Sequence, residues 1–497
     1  MEEQFAELRR RLGEITDLRT TFELLFWDQT VMMPPAGGPV RAEQLTTLER
    51  LSHDLFVSDE IGELLEELRP YEESLPDDSD EASIIRVARR DWEKARRVPT
   101  DLAAAMAKLA SEAQEVWAKA RQDSDYASFR PWLDRTLELK QRYIACFEPY
   151  DDLYDPLLDD YEPDMRTPEV REVFETLKEA LVPLIAEVGS LEEDDFMRGP
   201  FPEERQRAFS LRIVERFGYT PVHFRLDVTV HPFAATSGTQ DIRLTTRYSE
   251  SDLTSLFTAM HECGHGLYEH GVSQALERTP LAHGVSSALH ESQSRLWENV
   301  VGRSRPFWEF FYPQLHETFP EALRGVELER FLRSVNRVRP SLIRVDADEA
   351  TYSLHIILRF ELEQELLSGS LSTADLPEAW NARFKEYLGL DVPEDRLGVL
   401  QDVHWAGGSF GYFPTYALGN VVGLQIWERV RAELPDLDEQ FARGEFGPLH
   451  EWLRERVYRH GRKFTPQELL ERVVGGGIDA GPYVRYLREK FGALAAA

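Results

Sequence analysis

Two histidines four residues apart, His261 and His265, flank Glu262 in the stretch Leu256-Phe-Thr-Ala-Met-His-Glu-Cys-Gly-His-Gly-Leu267. On a helix, residues at this spacing lie one above the other on one face. Two imidazoles so placed can share one divalent metal without a loop having to fold around it. Glu262, next to the first histidine, can reach the open side of that metal and take a proton from an activated water. The chemistry this predicts is that of a zinc hydrolase. Cys263 lies between the histidines rather than on their face and is expected to be a small packed residue.

A catalytic zinc site needs a third protein ligand and keeps one position open. Glu291, in His290-Glu-Ser-Gln-Ser294, follows His265 by 26 residues. That distance leaves room for a turn, a loop and an antiparallel return helix. His290 would point about 100° away from Glu291 on such a helix. Glu269, His270 and His283 are the other candidates, and Glu269 suits a supporting role better. Imidazoles on a metal usually donate their second N–H to a carboxylate or carbonyl. Asp241, Glu269, Glu298 and Asp348 could serve, and the spacing does not choose among them. Peptide hydrolysis also needs a donor for the developing oxyanion. The tract Gln401-Asp-Val-His404-Trp405, followed by Gly407-Gly-Ser-Phe-Gly-Tyr412-Phe-Pro-Thr-Tyr416, could bring histidine and tyrosine to a groove, or could be a tight turn with packed aromatics.

The elements that must position these groups are mostly helical. Asp252 is placed to cap a helix through Leu256, Met260 and Leu267. Apolar periodicity predicts helices over 2–25, 40–68, 80–97, 99–122, 125–149, 167–190 and 203–217. After the metal motif it predicts 285–303, 325–337, 349–368, 373–388, 414–434, 444–459, 466–473 and 481–491. Ser58, Thr100 and Ser124 are expected to cap three of these. Trp27 to Gly38 reads as a loop, broken by proline and glycine. Phe224–Phe233 and Asp241–Tyr248 alternate and are rich in β-branched residues, which predicts one small antiparallel sheet near 225–248, just before the metal helix. No repeat or long linker divides the chain. It reads as one mainly α catalytic domain over 1–497, with the helices of 1–70 able to form a lid.

The formal net charge of -32 repels phosphate backbones and anionic lipid, which argues against nucleic acid and membrane surfaces as partners. No stretch reaches the roughly 18 to 20 apolar residues of a membrane helix, and the first residues lack a secretory pattern. Two cysteines, Cys146 and Cys263, are too few for a disulfide framework. A cytoplasmic location is expected.

Six motifs then occur together and in order: His231-Pro-Phe, Asp241-Ile-Arg-Leu-Thr245, His261-Glu-Cys-Gly-His265, His290-Glu-Ser-Gln293, Ile343-Arg-Val-Asp-Ala-Asp348 and Gly398-Val-Leu-Gln-Asp-Val-His-Trp405. With Trp27-Asp-Gln29 and Gly411-Tyr-Phe-Pro414, they resemble the Taq-type thermostable metallocarboxypeptidase family from about residue 20 onward. Cys263 departs from the often aromatic residue of that position.

The resemblance implies a two-lobed helical fold with a deep groove, a homodimer, and removal of single C-terminal amino acids from peptides with broad specificity. Zinc would be the metal, with cobalt able to substitute. By the same similarity His261, His265 and Glu291 are the ligands, and Glu262 is general base and then acid. His231 would line the site. Arg344 would receive the substrate carboxylate, with Arg243 as competitor. Tyr416 with His404 would stabilise the intermediate, with Tyr412 as competitor. Guanidinium suits the carboxylate because it binds bidentately in a fixed geometry. The alternatives are an oligopeptidase cutting internally or releasing dipeptides and, from another class, a helical scaffold whose histidine pair is not catalytic.

Overall fold

A computed structural model of the chain describes residues 1–188 and 194–495. Helices dominate, as the periodicity predicts, and two of them form the spine. One carries Glu291 (Ser287–Arg295), and the other runs from Phe413 to Glu433. The second spine helix places Leu418, Val421 and Leu424 in one apolar core, and Val422, Ile426 and Val430 in another. Ala288 and Leu289 divide in the same way. Each lobe thus buries its own apolar face, and the two lobes meet along these helices.

A third core belongs to the N-terminal helices. Phe5, Leu8, Leu12, Ile15, Ile61, Leu65 and Ile85 pack with Val272, Leu276, Leu281 and Ala282, which follow the metal helix. The layer read as a lid therefore sits on the loop behind the metal motif. Trp27 pins its other end, with the Arg225 and Arg243 guanidinium carbons 4.5 and 4.3 Å from its ring centroid.

The sheet differs from the antiparallel pair expected. Strands β1 (Phe224–Val228) and β3 (Ile242–Thr246) run parallel, and a short β2 (Ala234–Thr236) joins the far side of β3 antiparallel. Ala234–Thr236 falls between the two stretches expected as strands. The Ser237–Asp241 turn folds it back onto β3, and this frees β1 to pair on the other edge. Alternating residues reveal a strand but not its direction.

Three other expectations shift. The first helix runs through Trp27 to Val31, so the loop begins later than read. Arg305–Thr318 is a helix the pattern missed, because its crowded aromatics and Pro306 and Pro313 mask the period; Ser304 caps it. Of the caps, Ser58 makes no side-chain cap bond, Thr100 is itself the first helical residue, and Asp125 rather than Ser124 accepts the Ser128 N–H. The final residues of the segment expected helical over 167–190 lie outside the described residues.

Candidate metal centre

His261, Glu262 and His265 lie on the helix Thr254–Gly271, whose first turn is held by the Asp252 carboxylate accepting the Thr254 N–H (2.9 Å). Glu291 faces them from the return helix. The close approach needs glycine on both sides of that helix. A Cβ on Gly264 would stand 2.7 Å from Gln293 O, and one on Gly419 would stand 2.7 Å from the Glu291 Cβ. Any larger residue would push the ligand-bearing helix out of place.

The Nε2 atoms of His261 and His265 each lie 3.6 Å from Glu291 Oε2, and the ligand atoms of the three residues all fall within 4.8 Å of one another. Bonds of about 2.0–2.1 Å in a tetrahedral site put ligand atoms roughly 3.3 Å apart, so this N₂O set fits one divalent ion after small adjustment. Every other polar edge of the ligands is engaged. His261 Nδ1 donates to Glu298 Oε2 (2.9 Å). Arg295 Nε donates to Glu291 Oε1 (2.7 Å), which leaves Oε2 to face the imidazoles. His265 Nδ1 meets His290 Nδ1 at 2.7 Å, and His290 Nε2 donates to Glu269 Oε1 (2.7 Å). With Nε2 of His265 kept for a metal, its Nδ1 carries the proton and His290 accepts it. Asp241 is instead paired with Arg243, and Asp348 caps a helix at Ala350 and Thr351. Glu298 and Glu269 are therefore the supporting carboxylates.

Electrostatics follow from this packing. Burial drives the His265 pKa well below the usual value, reinforced by His290 and His261, so the ring is neutral as a ligand must be. For His261 burial acts in the same direction, but Glu291 and Glu298 outweigh it and raise the pKa. Burial pushes Glu262 up to about 7, with Glu291 and Glu298 adding to the rise against His261. That places a proton-transferring group near neutrality. Glu298 is held at about 2, Arg295 and His261 overcoming its burial. Cys263 is fully buried, and burial alone raises its thiol pKa, which makes it an inert packing residue.

The ligands and Glu262 line a cavity of about 670 Å³, together with Tyr161, Phe233, His283, Tyr412, Tyr416 and Arg462. Tyr412 and Tyr416 are thus both on the wall. His404 lies behind, its Nε2 3.3 Å from the Tyr416 hydroxyl, and burial lowers its pKa to about 4. Arg344 is also behind: Nε and Nη2 donate to Asp402 (3.0 and 2.9 Å), Nη1 donates to the Tyr352 hydroxyl (3.1 Å), and its guanidinium carbon is 5.0 Å from the Tyr416 ring centroid. Arg243 pairs with Asp241 and stacks on Trp27. His231 is exposed, while its neighbours Pro232 and Phe233 reach the wall. Sequence reasoning missed Arg462, which pairs with Asp91 (2.8 and 2.9 Å) across 371 residues, and no local signal marks it.

A family model described as carboxypeptidase Taq (M32) metallopeptidase matches residues 7–491. The chain is 44% identical to thermostable carboxypeptidase 1 of Thermus thermophilus over 95% of each chain. It is 36% identical to carboxypeptidase 1 of Bacillus subtilis over 99% of this chain and 98% of that one. Among solved structures, the M32 carboxypeptidase of Deinococcus radiodurans R1 superposes with a TM-score of 0.96 at 41% identity over 100% of both chains. Trypanosoma cruzi metallocarboxypeptidase 1 gives 0.94 at 32% over 99% of this chain and 100% of that one.

Proposed function

The chain belongs to the carboxypeptidase Taq (M32) metallopeptidase family and is a metallocarboxypeptidase, and on that premise we propose that its metal is zinc, held by His261, His265 and Glu291. The observation that carries this is the convergence of the three ligand atoms, all other edges engaged, on the wall of one cavity. A bound zinc ion would polarise the scissile carbonyl and acidify water, and cobalt could substitute.

Glu262 takes a proton from the attacking water and passes it to the leaving amine. Its raised pKa suits both halves of that transfer. The Tyr416 hydroxyl, backed by His404, donates to the oxyanion of the tetrahedral intermediate, and Tyr412 stands 5.1 Å away, ring to ring, as the competing donor. For the substrate's terminal carboxylate the family resemblance favours Arg344 over Arg243, while the cavity wall favours Arg462. His231 acts through the loop that sets Phe233 on the wall. The substrate is a peptide with a free C-terminus, shortened one residue at a time with broad specificity. A cytoplasmic homodimer is the form the resemblance implies, and no helix of the described residues is long and apolar enough to cross a membrane.

Two measurements test this reading. Glu262→Gln should keep its metal and lose about 10²- to 10⁴-fold in kcat; wild-type turnover would refute the assignment. A peptide and its C-terminal amide, digested in parallel and read by mass spectrometry, separate the exopeptidase from the oligopeptidase. Equal cleavage of the amide would refute the exopeptidase.

A further inference from the structure

Away from the groove, the helices Thr100–Asp123 and Tyr126–Ala145 and the turn Ala406–Gly408 enclose a second cavity of about 220 Å³. It shares no lining residue with the metal cavity. Met106, Leu109, Leu139 and Ala406 make its wall apolar, and the Thr136 hydroxyl is spent on Trp132 O (3.0 Å). The exception is Lys140.

Lys140 is 8% exposed. Its Cε lies 3.5 Å from where a Cβ on Gly408 would stand, so the distal end of the chain reaches the cavity wall. Among the described residues no carboxylate or carbonyl accepts a hydrogen bond from its Nζ. The Tyr143 ring lies 5.3 Å away, and Asp160 and Glu363 act on it only at a distance. Both of those carboxylates are engaged elsewhere. Asp160 takes Lys94 (2.8 Å) and the Tyr143 hydroxyl (2.6 Å). Glu363 accepts from the Tyr154 hydroxyl, Trp405 Nε1 (2.8 Å) and the Gly411 N–H (3.1 Å). The Lys140 stem is thus packed away while its ammonium, at the cavity wall, is taken by no described protein acceptor and is free to meet an anion there.

We propose that this cavity binds a small carboxylate with an apolar tail, its oxygens on Lys140 and its tail against Met106, Leu109 and Leu139. One cation at the edge of an apolar chamber matches one anionic head on a hydrocarbon body. A phosphate would ask for several converging donors. The volume lies below the roughly 300–1,000 Å³ of drug-sized sites, so the tail is short. The occupant would rest on Ala406–Gly408, between His404 and Tyr412, and so touches the turn that presents the oxyanion donors.

Hexanoate is the probe, titrated calorimetrically into the metal-loaded full chain whose groove is saturated with a peptide hydroxamate. One-to-one binding is expected, weakened at least about tenfold in Lys140→Met and about tenfold for the uncharged isostere hexanamide on the wild type. The hexanamide comparison needs no variant, so it decides even if Lys140→Met fails to fold. Absence of hexanoate binding with the groove blocked, equal binding by Lys140→Met, or equal binding of hexanamide would each overturn the proposal.

Discussion

The two imidazoles proposed to bind the metal are backed by different partners, and this difference gives a quantitative test. His261 leans on a carboxylate, Glu298, which also meets Arg295 (3.3 Å) and Arg303 (3.5 Å). His265 leans on a neutral imidazole, His290, with Glu269 one bond further out. Removing a carboxylate behind a metal histidine typically lowers metal affinity 10- to 100-fold, or about 1.4–2.7 kcal/mol. Glu298→Gln keeps an oxygen for His261 Nδ1 and loses only the charge, so it should fall near the tenfold end. Glu298→Ala loses the bond as well. It also leaves Arg295 with Glu291 as its one remaining carboxylate among the described residues, which draws electron density from the proposed third ligand. It should approach the hundredfold end. Glu269→Gln acts through an intervening ring and should cost less than about tenfold. Affinity is measured by competition with a chromophoric chelator at fixed pH, alongside kcat at saturating metal, which should change little. Wild-type affinity in Glu298→Ala, or an equal loss in Glu269→Gln, would refute the reasoning.

Tyr416→Phe should lower kcat by about 10²- to 10³-fold with KM little changed, and Tyr412→Phe by much less, because only Tyr416 is backed by His404; the reverse order assigns the donor role to Tyr412. Gly419→Ala should loosen metal binding and destabilise by about 1–3 kcal/mol, since its Cβ would meet the Glu291 Cβ at 2.7 Å; thermal melts with and without metal read both effects. Buried Glu162 accepts the Ala288 and Ser286 bonds that hold the start of the return helix, yet burial pushes it up to about 8. The folded chain therefore binds a proton that the unfolded chain has released between pH 4.5 and 8, and stability falls as pH rises through that window, by up to about 1.4 kcal/mol per unit. Glu162→Gln should flatten that slope in denaturant midpoints taken from pH 5 to 8, and an unchanged slope would count against this protonation. Arg344→Met and Arg462→Met, compared by the KM ratio of free to amidated peptides, assign the carboxylate receptor; the variant whose ratio collapses identifies it.

Much of the metal centre was legible because helical geometry constrains it locally. The i, i+4 spacing of His261 and His265 fixes two candidate ligands on one face, and an antiparallel return brings Glu291 opposite them. The supporting shell was not legible in that way. Glu298 falls in a π-helical stretch, Leu296–Val301, that continues the return helix, so its direction departs from ordinary helical counting. His290 was set aside as pointing off the ligand face. It does, and that brings it under His265 from the side. Arg462 reached the cavity through contacts that no window of sequence contains.

Motif membership also says little about depth. Arg344, Asp402, His404 and Tyr416 come from two neighbouring motifs and the turn that follows, and each could have been a separate contact with substrate. They form one stack instead. Asp402 lies between Arg344 and Arg359, at 2.9 and 2.6 Å, and the two cations hold its pKa far below the usual carboxylate range despite burial. Arg344 in turn supports the Tyr416 ring, and His404 the Tyr416 hydroxyl. Of the four, only Tyr416 lines the cavity. A chain of buried charges that ends in one hydroxyl at the cavity wall fixes that hydroxyl's position without moving charge into the groove. Changes at Arg344, Asp402 and Tyr416 should therefore couple rather than add, because all three act on the placement of the same oxygen.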